Sequence, residues 1–304
     1  PNMWWAGVAH YDSEYLPHSS KFEQYGDAIA DCVEAAHARG IEVHAWKVNW
    51  NLATAPQEFI DELRAAERTM FDYNGNPIDW LCPSHPENYE LELKTMVEVA
   101  EKYDVDGVHF DYIRYLGESV CYCDGCLDRF QQASGETVDD WPMQCYRGDL
   151  MQKYRDWRCD QITRLVRTTS EEVRKIKPDC KISAAVFSNY PTTRKSIGQD
   201  WLLWVQEGYL DFVCPMDYNA SDSAFARTVA RQVAQIDGEC PIYPGIGASA
   251  PGLPADQMVN QIALAREMGA QGFTVFQLSK TTAEDHVLAA GMGILSTPTK
   301  IATH

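Results

Sequence analysis

The chain of 304 residues carries 26 basic against 44 acidic side chains, a net charge of −18, with 45% hydrophobic and 23% charged residues. That balance fits a folded globular protein and argues against nucleic acid as a partner, because no basic stripe offsets the acidic field that would repel a phosphate backbone. No apolar run approaches the roughly 20 residues that a membrane-spanning helix needs.

One unit repeats along the chain: an amphipathic helix, a Gly or Pro-Asp stop, then a short apolar strand with a polar tip. The first strand is "MWWAGVA"; the helix "YGDAIADCVEAAHARG", ended by Gly40, leads to the strand "IEVHAW". Residues 49–86, rich in polar and turn residues such as "DYNGNP", read as a long loop. The helix "NYELELKTMVEVAEKYD" then precedes the strand "DGVHFDY". A second long loop, 117–141, carries three cysteines. The long helix "YRDWRCDQITRLVRTTSEEVRKIKPD" precedes "KISAAVF", and "QDWLLWVQEG" precedes "DFVCPMDY". Two further helices alternate with "IYPGIG" and "GFTVFQ". Strands separated by helices of this length pair in parallel. The expected fold is therefore α/β, a (β/α)8 TIM barrel forming a single catalytic domain over 1–304, with both long loops on the carboxyl-terminal face. Seven strands are visible, one fewer than a full barrel.

"VDGVHFDYIRY", from Val105 to Tyr115, raises the chemical question. Alternation puts Val108 and Phe110 on one face and Gly107, His109 and Asp111 on the other, so Asp111 reaches the strand end, where barrel enzymes place catalytic carboxylates. Asp217 at the tip of "CPMDYN" is the second candidate, and Asp200 of "GQDW" is held in reserve. For Asp217 the alternation leaves two outcomes open: it faces inward, or Met216 and Tyr218 do and Asp217 lies beside the helices. Around these carboxylates the expected substrate contacts are His44, Trp46, His109, Tyr112, Arg114, Tyr218 and Gln277. Aromatic faces offer apolar contact, and Arg114 would hold Asp111 ionised or bind an acidic group of the substrate.

"VDGVHFDYIRY", together with "ARGIEVHAW", "WLCPSHPEN" and "QDWLLWVQEGYLDFVCPMDY", resembles the glycosyl hydrolase-like 10 family of bacterial barrel proteins over nearly the whole chain. The resemblance implies that "MWWAGVAHYDSEYLP" holds the second strand of the barrel, with the first upstream of Pro1. A chain that starts at Pro1 without an initiator Met fits a processed or trimmed amino terminus, and with a removed leader it would belong to a secreted or cell-envelope protein. "DGVHFDYIR" is also similar to the DG-x-D-x-D-x-E strand of family 18 chitinases. Ile113 stands where their catalytic Glu would be, which disfavours substrate-assisted chemistry.

"CYCDGC" spaces Cys121, Cys123 and Cys126 for thiolates converging on one ion, and tetrahedral zinc needs a fourth ligand. Cys82 and Cys145 are the candidates. Cys82 in "WLCPSHPENY", taken with C-x-C-x-x-C, resembles the zinc cluster of family 42 β-galactosidases, which implies a structural zinc on Cys82, Cys121, Cys123 and Cys126 and no cofactor in catalysis. Cys32, Cys159, Cys180, Cys214 and Cys240 are expected to pack as small hydrophobes.

The expected activity is cleavage of glycosidic bonds in a polysaccharide or glycoconjugate by a carboxylate pair, with Asp111 as general acid or nucleophile. The competing class is a carbohydrate-binding barrel without catalysis. A metal-dependent hydrolase ranks third, because its zinc would need an open coordination position.

Overall fold

Capping residues set the first helices. Ser19 accepts from Phe22 N at 3.2 Å and opens α1 (Ser20–Tyr25), Gly26 ends it at φ +79°, and Asp27 caps α2 (Ala28–His37) by accepting from Ile29 N and Ala30 N. The helix expected from Tyr25 onward thus begins at Ala28, because Gly26 takes a backbone angle that a helix cannot continue.

The computed structural model describes residues 2–5, 7–277, 279 and 282, the first four by their backbone. The chain forms two compact units, Pro1–Ala185 with Asn189–Leu210, and Val186–Ser188 with Asp211–His304.

In the first unit β1 (Asn2–Trp5) pairs antiparallel with β2 (Val8–Ala9) and parallel with β3 (His44–Val48). The expected loop 49–86 is more ordered than its composition suggests. It contains α3 (Gln57–Ala65) and a hairpin of β4 (Thr69–Phe71) and β5 (Pro77–Leu81). Asp72 closes the hairpin turn, accepting from the backbone N–H groups of Asn74 and Asn76 at 2.8 Å each, so the residues that read as a loop are the turn itself. Then come α4 (Pro86–Lys102) and β6 (Gly107–Asp111), followed by α5 (Asp124–Ser134), α6 (Met143–Tyr146) and α7 (Met151–Ile176). Strand β7 (Lys181–Val186) and helices α8 (Thr192–Ile197) and α9 (Trp201–Gln206) follow. Strand order runs β2-β1-β3-β6-β7, and β3–β6 and β6–β7 are parallel, as the helix-length crossovers require.

Helix α4 starts cleanly because His85 accepts from Glu87 N and Pro86 has no N–H to satisfy. Its buried residues Asn88, Glu92, Thr95, Met96 and Val99 recur at three- and four-residue steps, the stripe that faces the sheet. Val43, Ala45, Val99 and Val105 form one cluster with Ala9, Tyr11 and Ile29.

The second unit contains β8 (Phe212–Pro215), α10 (Asp222–Ile236), β9 (Gly245–Ile246), α11 (Ala255–Glu267) and β10 (Thr274–Val275). β9 and β10 are parallel, and Met216 N donates to Val186 O at 2.8 Å. The strand expected over "IYPGIG" is only two residues long, since Pro244 within it has no N–H to offer a ladder. Asp222 ties α10 to α11 by accepting from Gln257, Asn260 and Gln261.

Glu98 on α4 is the anchor for the segment after β2. Only 3% exposed, it accepts from Tyr11 Oη at 2.7 Å, Ser13 Oγ at 2.9 Å, Glu14 N at 2.7 Å and Lys102 Nζ at 3.0 Å. Burial pushes its pKa up, but these donors together hold it below the usual carboxylate value. A lowered folded pKa contributes stability above the unfolded value near 4.3, and that contribution is lost as pH falls through the folded value. Glu98→Gln is therefore expected to lose about 2 kcal/mol at pH 7 in urea denaturation, with the gap closing below about pH 4. Equal stability at pH 7 would remove Glu98 as an anchor.

Candidate active site and a buried four-cysteine centre

The site is built on the in-register parallel pair β3–β6, where His44 faces Gly107, Trp46 faces His109 and Val48 faces Asp111. Registered neighbours in a parallel sheet point to the same side, so His44, Trp46, His109 and Asp111 share one face. Gly107 makes this face usable: a Cβ there would lie 2.2 Å from His44 Nδ1. His109 Nδ1 meets Ser183 Oγ at 2.8 Å, and burial, with the His44 ring nearby, drives its pKa down to about 3. It is a neutral imidazole at physiological pH.

Asp111 is 7% exposed at the end of β6. Its Oδ2 accepts from Trp46 Nε1 at 3.1 Å and its Oδ1 from Tyr112 N at 2.7 Å. Burial outweighs these bonds and the nearby Arg114 charge, so its pKa is pushed up to about 6. Tyr112 turns the chain at φ +55°, and Arg114 then lies 5.0 Å from its ring centroid and 6.0 Å from that of Trp80. Trp80 and Tyr112 are 5.7 Å apart.

Several residues that sequence reasoning passed over hold this corner. Asn49 N donates to Asp111 O at 2.8 Å, and Asn49 Nδ2 donates to Glu92 Oε2 at 2.6 Å. Glu92 also accepts from Trp50 N at 3.3 Å and pairs with Lys47 at 3.4 Å, where the two side chains are 5% and 2% exposed. Burial lowers the Lys47 pKa and Glu92 opposes that shift. The available signal was a Lys inside the apolar strand "HAWKV", a residue that needs a carboxylate partner if buried.

The other two candidate carboxylates have different surroundings. Asp217 is 5% exposed, and its Oδ1 accepts from Gln232 Nε2 of α10 at 2.8 Å. Its Oδ2 has no hydrogen-bond partner among the described residues and lies beside a cavity of about 70 Å³ lined by Ser188, Tyr218, Asn219 and Phe225 among others. Burial pushes its pKa up to about 7 against the pull of Gln232 and Arg231. Of the two outcomes left open by alternation, the hydrogen bond to α10 puts Asp217 beside a helix. Tyr218 stacks on Phe276 with centroids 5.3 Å apart. Asp200 accepts from Tyr190 Oη and Arg194 Nε at 2.8 Å each, which makes it a clamp between helices α8 and α9. Gln277 is exposed, and its backbone N donates to Ser249 Oγ at 3.1 Å.

Cys82, Cys121, Cys123 and Cys126 are all buried, with their sulfurs within 4.8 Å of one another. Cys82 follows β5, and Cys123 and Cys126 flank the first turn of α5, where an i, i+3 spacing sets two sulfurs on one side. The Cys82–Cys126 and Cys82–Cys123 separations are 3.5 and 3.8 Å. A tetrahedron with Zn–S bonds of about 2.3 Å has edges of about 3.8 Å, so the residues fit a four-thiolate ion. Cys145, the alternative ligand, lies on α6 outside the group. Cys159, Cys180, Cys214 and Cys240 are buried and unbridged, and Cys32 is half-buried.

The fold is that of the TIM-barrel proteins. The chain belongs to the Glycosyl hydrolase-like 10 family, whose model matches residues 1–248. It is 25% identical over 225 residues to Glycosyl hydrolase YngK of Bacillus subtilis (strain 168), which covers 68% of this chain and 41% of that protein. The chain thus spans less than half the length of that relative. The glycoside hydrolase domain of PgaB (BpsB) from Bordetella bronchiseptica shares the fold with a TM-score of 0.74 at 14% identity, over 93% of this chain and 82% of that one. Gan42B, a GH42 β-galactosidase from G. stearothermophilus, does so with a TM-score of 0.63 at 12% identity, over 91% of this chain and 46% of that one. At those identities the structural likeness is one of fold.

The raised pKa of Asp111 has a sign that stability measurements can read. Its folded value of about 6 lies above the unfolded value of about 3.9, so the carboxyl costs nothing near pH 3. The cost grows as pH rises between those two values and is constant above them. Asp111→Asn is expected to be more stable than wild type at pH 8 by up to about 3 kcal/mol, with the difference vanishing near pH 3, in denaturant titrations at both pH values. A variant less stable than wild type at pH 8 would show that Asp111 is held ionised.

Proposed function

We propose that this chain hydrolyses glycosidic bonds in a polysaccharide or glycoconjugate, working as one catalytic barrel with Asp111 as general acid or nucleophile. The observation that carries this reading is Asp111 itself, a buried carboxyl at a strand end with its pKa pushed up to about 6. A carboxylic acid that must protonate a leaving oxygen near neutral pH needs a raised pKa, and burial supplies it. Trp46 and the Tyr112 backbone orient the carboxyl, and the Tyr112 ring together with Arg114 offers a face and a charge to a sugar. His44 and His109 line the same strand face as polar contacts, and Tyr218 and Gln277 are further proposed substrate contacts from the second unit. Asp217, with its unpartnered Oδ2 and pKa pushed up to about 7, is the proposed second carboxylate. Asp200 drops behind it because Tyr190 and Arg194 already occupy its oxygens.

The four-cysteine group is proposed to hold a structural zinc ion. Four sulfurs complete a tetrahedron and leave no position for water, so the ion would pin the loop after β5 to the start of α5 and take no part in hydrolysis. One observation favours the second reading, a carbohydrate-binding barrel without catalysis: the Asp217 carboxylate is bonded to Gln232 on α10.

The deciding experiment measures glycan release from a panel of polysaccharides and glycoconjugates by wild type, Asp111→Asn and Asp217→Asn. Wild type is expected to cleave one class, with each folded variant losing about 100- to 10,000-fold in rate. If no glycan is cleaved and one binds equally to all three proteins, the hydrolase reading gives way to the binding one.

A further inference from the structure

The four-cysteine group creates a charge problem that the thiolates cannot solve. Four thiolates around a divalent ion carry a net charge of −2, and all four cysteines are buried, where uncompensated charge is expensive. Arg129 on α5 is the residue placed to answer it. Its Nη2 lies 3.7 Å from Cys82 Sγ and 4.0 Å from Cys123 Sγ, both within N–H···S reach. Its Nε donates to Ser84 Oγ at 3.0 Å, which leaves the Ser84 hydroxyl proton free for sulfur, and Ser84 Oγ lies 3.2 Å from Cys82 Sγ and 3.3 Å from Cys126 Sγ. Directly or through Ser84, one guanidinium thus supplies donors to three of the four sulfurs. Among the described residues Arg129 makes no ion pair with a carboxylate, and it is half-buried over sulfurs that are themselves enclosed.

Gly125 gives this arrangement its room. A Cβ at Gly125 would lie 2.7 Å from Arg129 Nη1 and 2.8 Å from Nη2, so any larger residue there would push the guanidinium off the sulfurs. The glycine of "CDGC" sits in the first turn of α5, where alanine would be the better helix former, so helix propensity does not account for it.

We infer that Arg129 is the charge-balancing lid of a four-thiolate metal centre, with Ser84 relaying its hydrogen bonding and Gly125 leaving it space. The inference rests on the metal reading given above. Donors to coordinating sulfurs lower the charge on each thiolate and disfavour its attack by protons or chelators, so the lid governs how tightly the ion is kept.

The test uses the full chain, stripped of metal under reducing conditions and titrated with Zn²⁺ against a chelator of known affinity, then with Co²⁺ to read thiolate-to-cobalt charge-transfer bands. Arg129→Met and Gly125→Ala are each expected to weaken Zn²⁺ binding by about 10- to 100-fold while keeping four-thiolate Co²⁺ spectra. The double variant is expected to be no weaker than Arg129→Met, because Gly125 acts through the side chain that is already gone. If Arg129→Met fails to fold, Gly125→Ala carries the test, since alanine favours the helix. Zn²⁺ affinity unchanged in both single variants overturns the lid while leaving the metal centre standing. A wild type that binds neither ion overturns the metal reading and the lid with it.

Discussion

Parallel, in-register pairing of His44–Val48 with Gly107–Asp111 is the constraint on which the candidate site depends. It puts Trp46 within hydrogen-bond reach of Asp111, stacks His44 over the one residue that leaves it room, and turns Lys47 to the opposite side against α4. A slip of one residue would exchange the two faces, sending Asp111 into the helix layer and Phe110 toward the site. The apolar set Ala45, Val99 and Val105 makes that slip costly, so the core that packs the sheet also aims the carboxylate.

Four of the carboxylates buried among the described residues show how environment decides their use. Glu98 has four donors and stays ionised, so it serves as an anchor. Glu92 is matched by Lys47 and fixes the backbone that follows β3. Asp111 and Asp217 have fewer donors than burial demands, and both are pushed toward the neutral form at physiological pH. A folded protein tolerates that cost where a proton has work to do. Asp111 stands at a strand end among aromatic rings, whereas Asp217 is tied to a helix, and that contrast makes Asp111 the stronger candidate.

The cysteine group joins segments that are far apart along the chain. The hairpin β4–β5 and the residues before α5 meet through Cys82 and the C-x-C-x-x-C run, next to aromatic packing of Tyr122, Phe130, Tyr154 and Trp157. Trp80, which faces the Arg114 and Tyr112 corner, lies two residues before Cys82. The end of β5 thus carries Trp80 of the candidate site and leads directly into Cys82 of the cysteine group.

Local periodicity determined much of this protein without reference to its three-dimensional form. The alternation of helices and apolar strands specified a parallel α/β fold, strand parity specified that His109 and Asp111 share a face, and the cysteine spacing specified three of the four sulfurs that meet, the fourth, Cys82, being implied by the resemblance to family 42 β-galactosidases. These features are readable because each is a relation between residues close in sequence or a motif with one geometric purpose. The hairpin inside 49–86 escaped because its strands are three and five residues long and its turn dominates the composition. What only tertiary structure decided are the long-range pairings: Lys47 with Glu92, Asn49 with Asp111, Asp217 with Gln232, and Arg129 over the sulfurs. A buried charge advertises in the sequence that it must have a partner. Which residue answers depends on packing between elements far apart along the chain, and no local pattern records it.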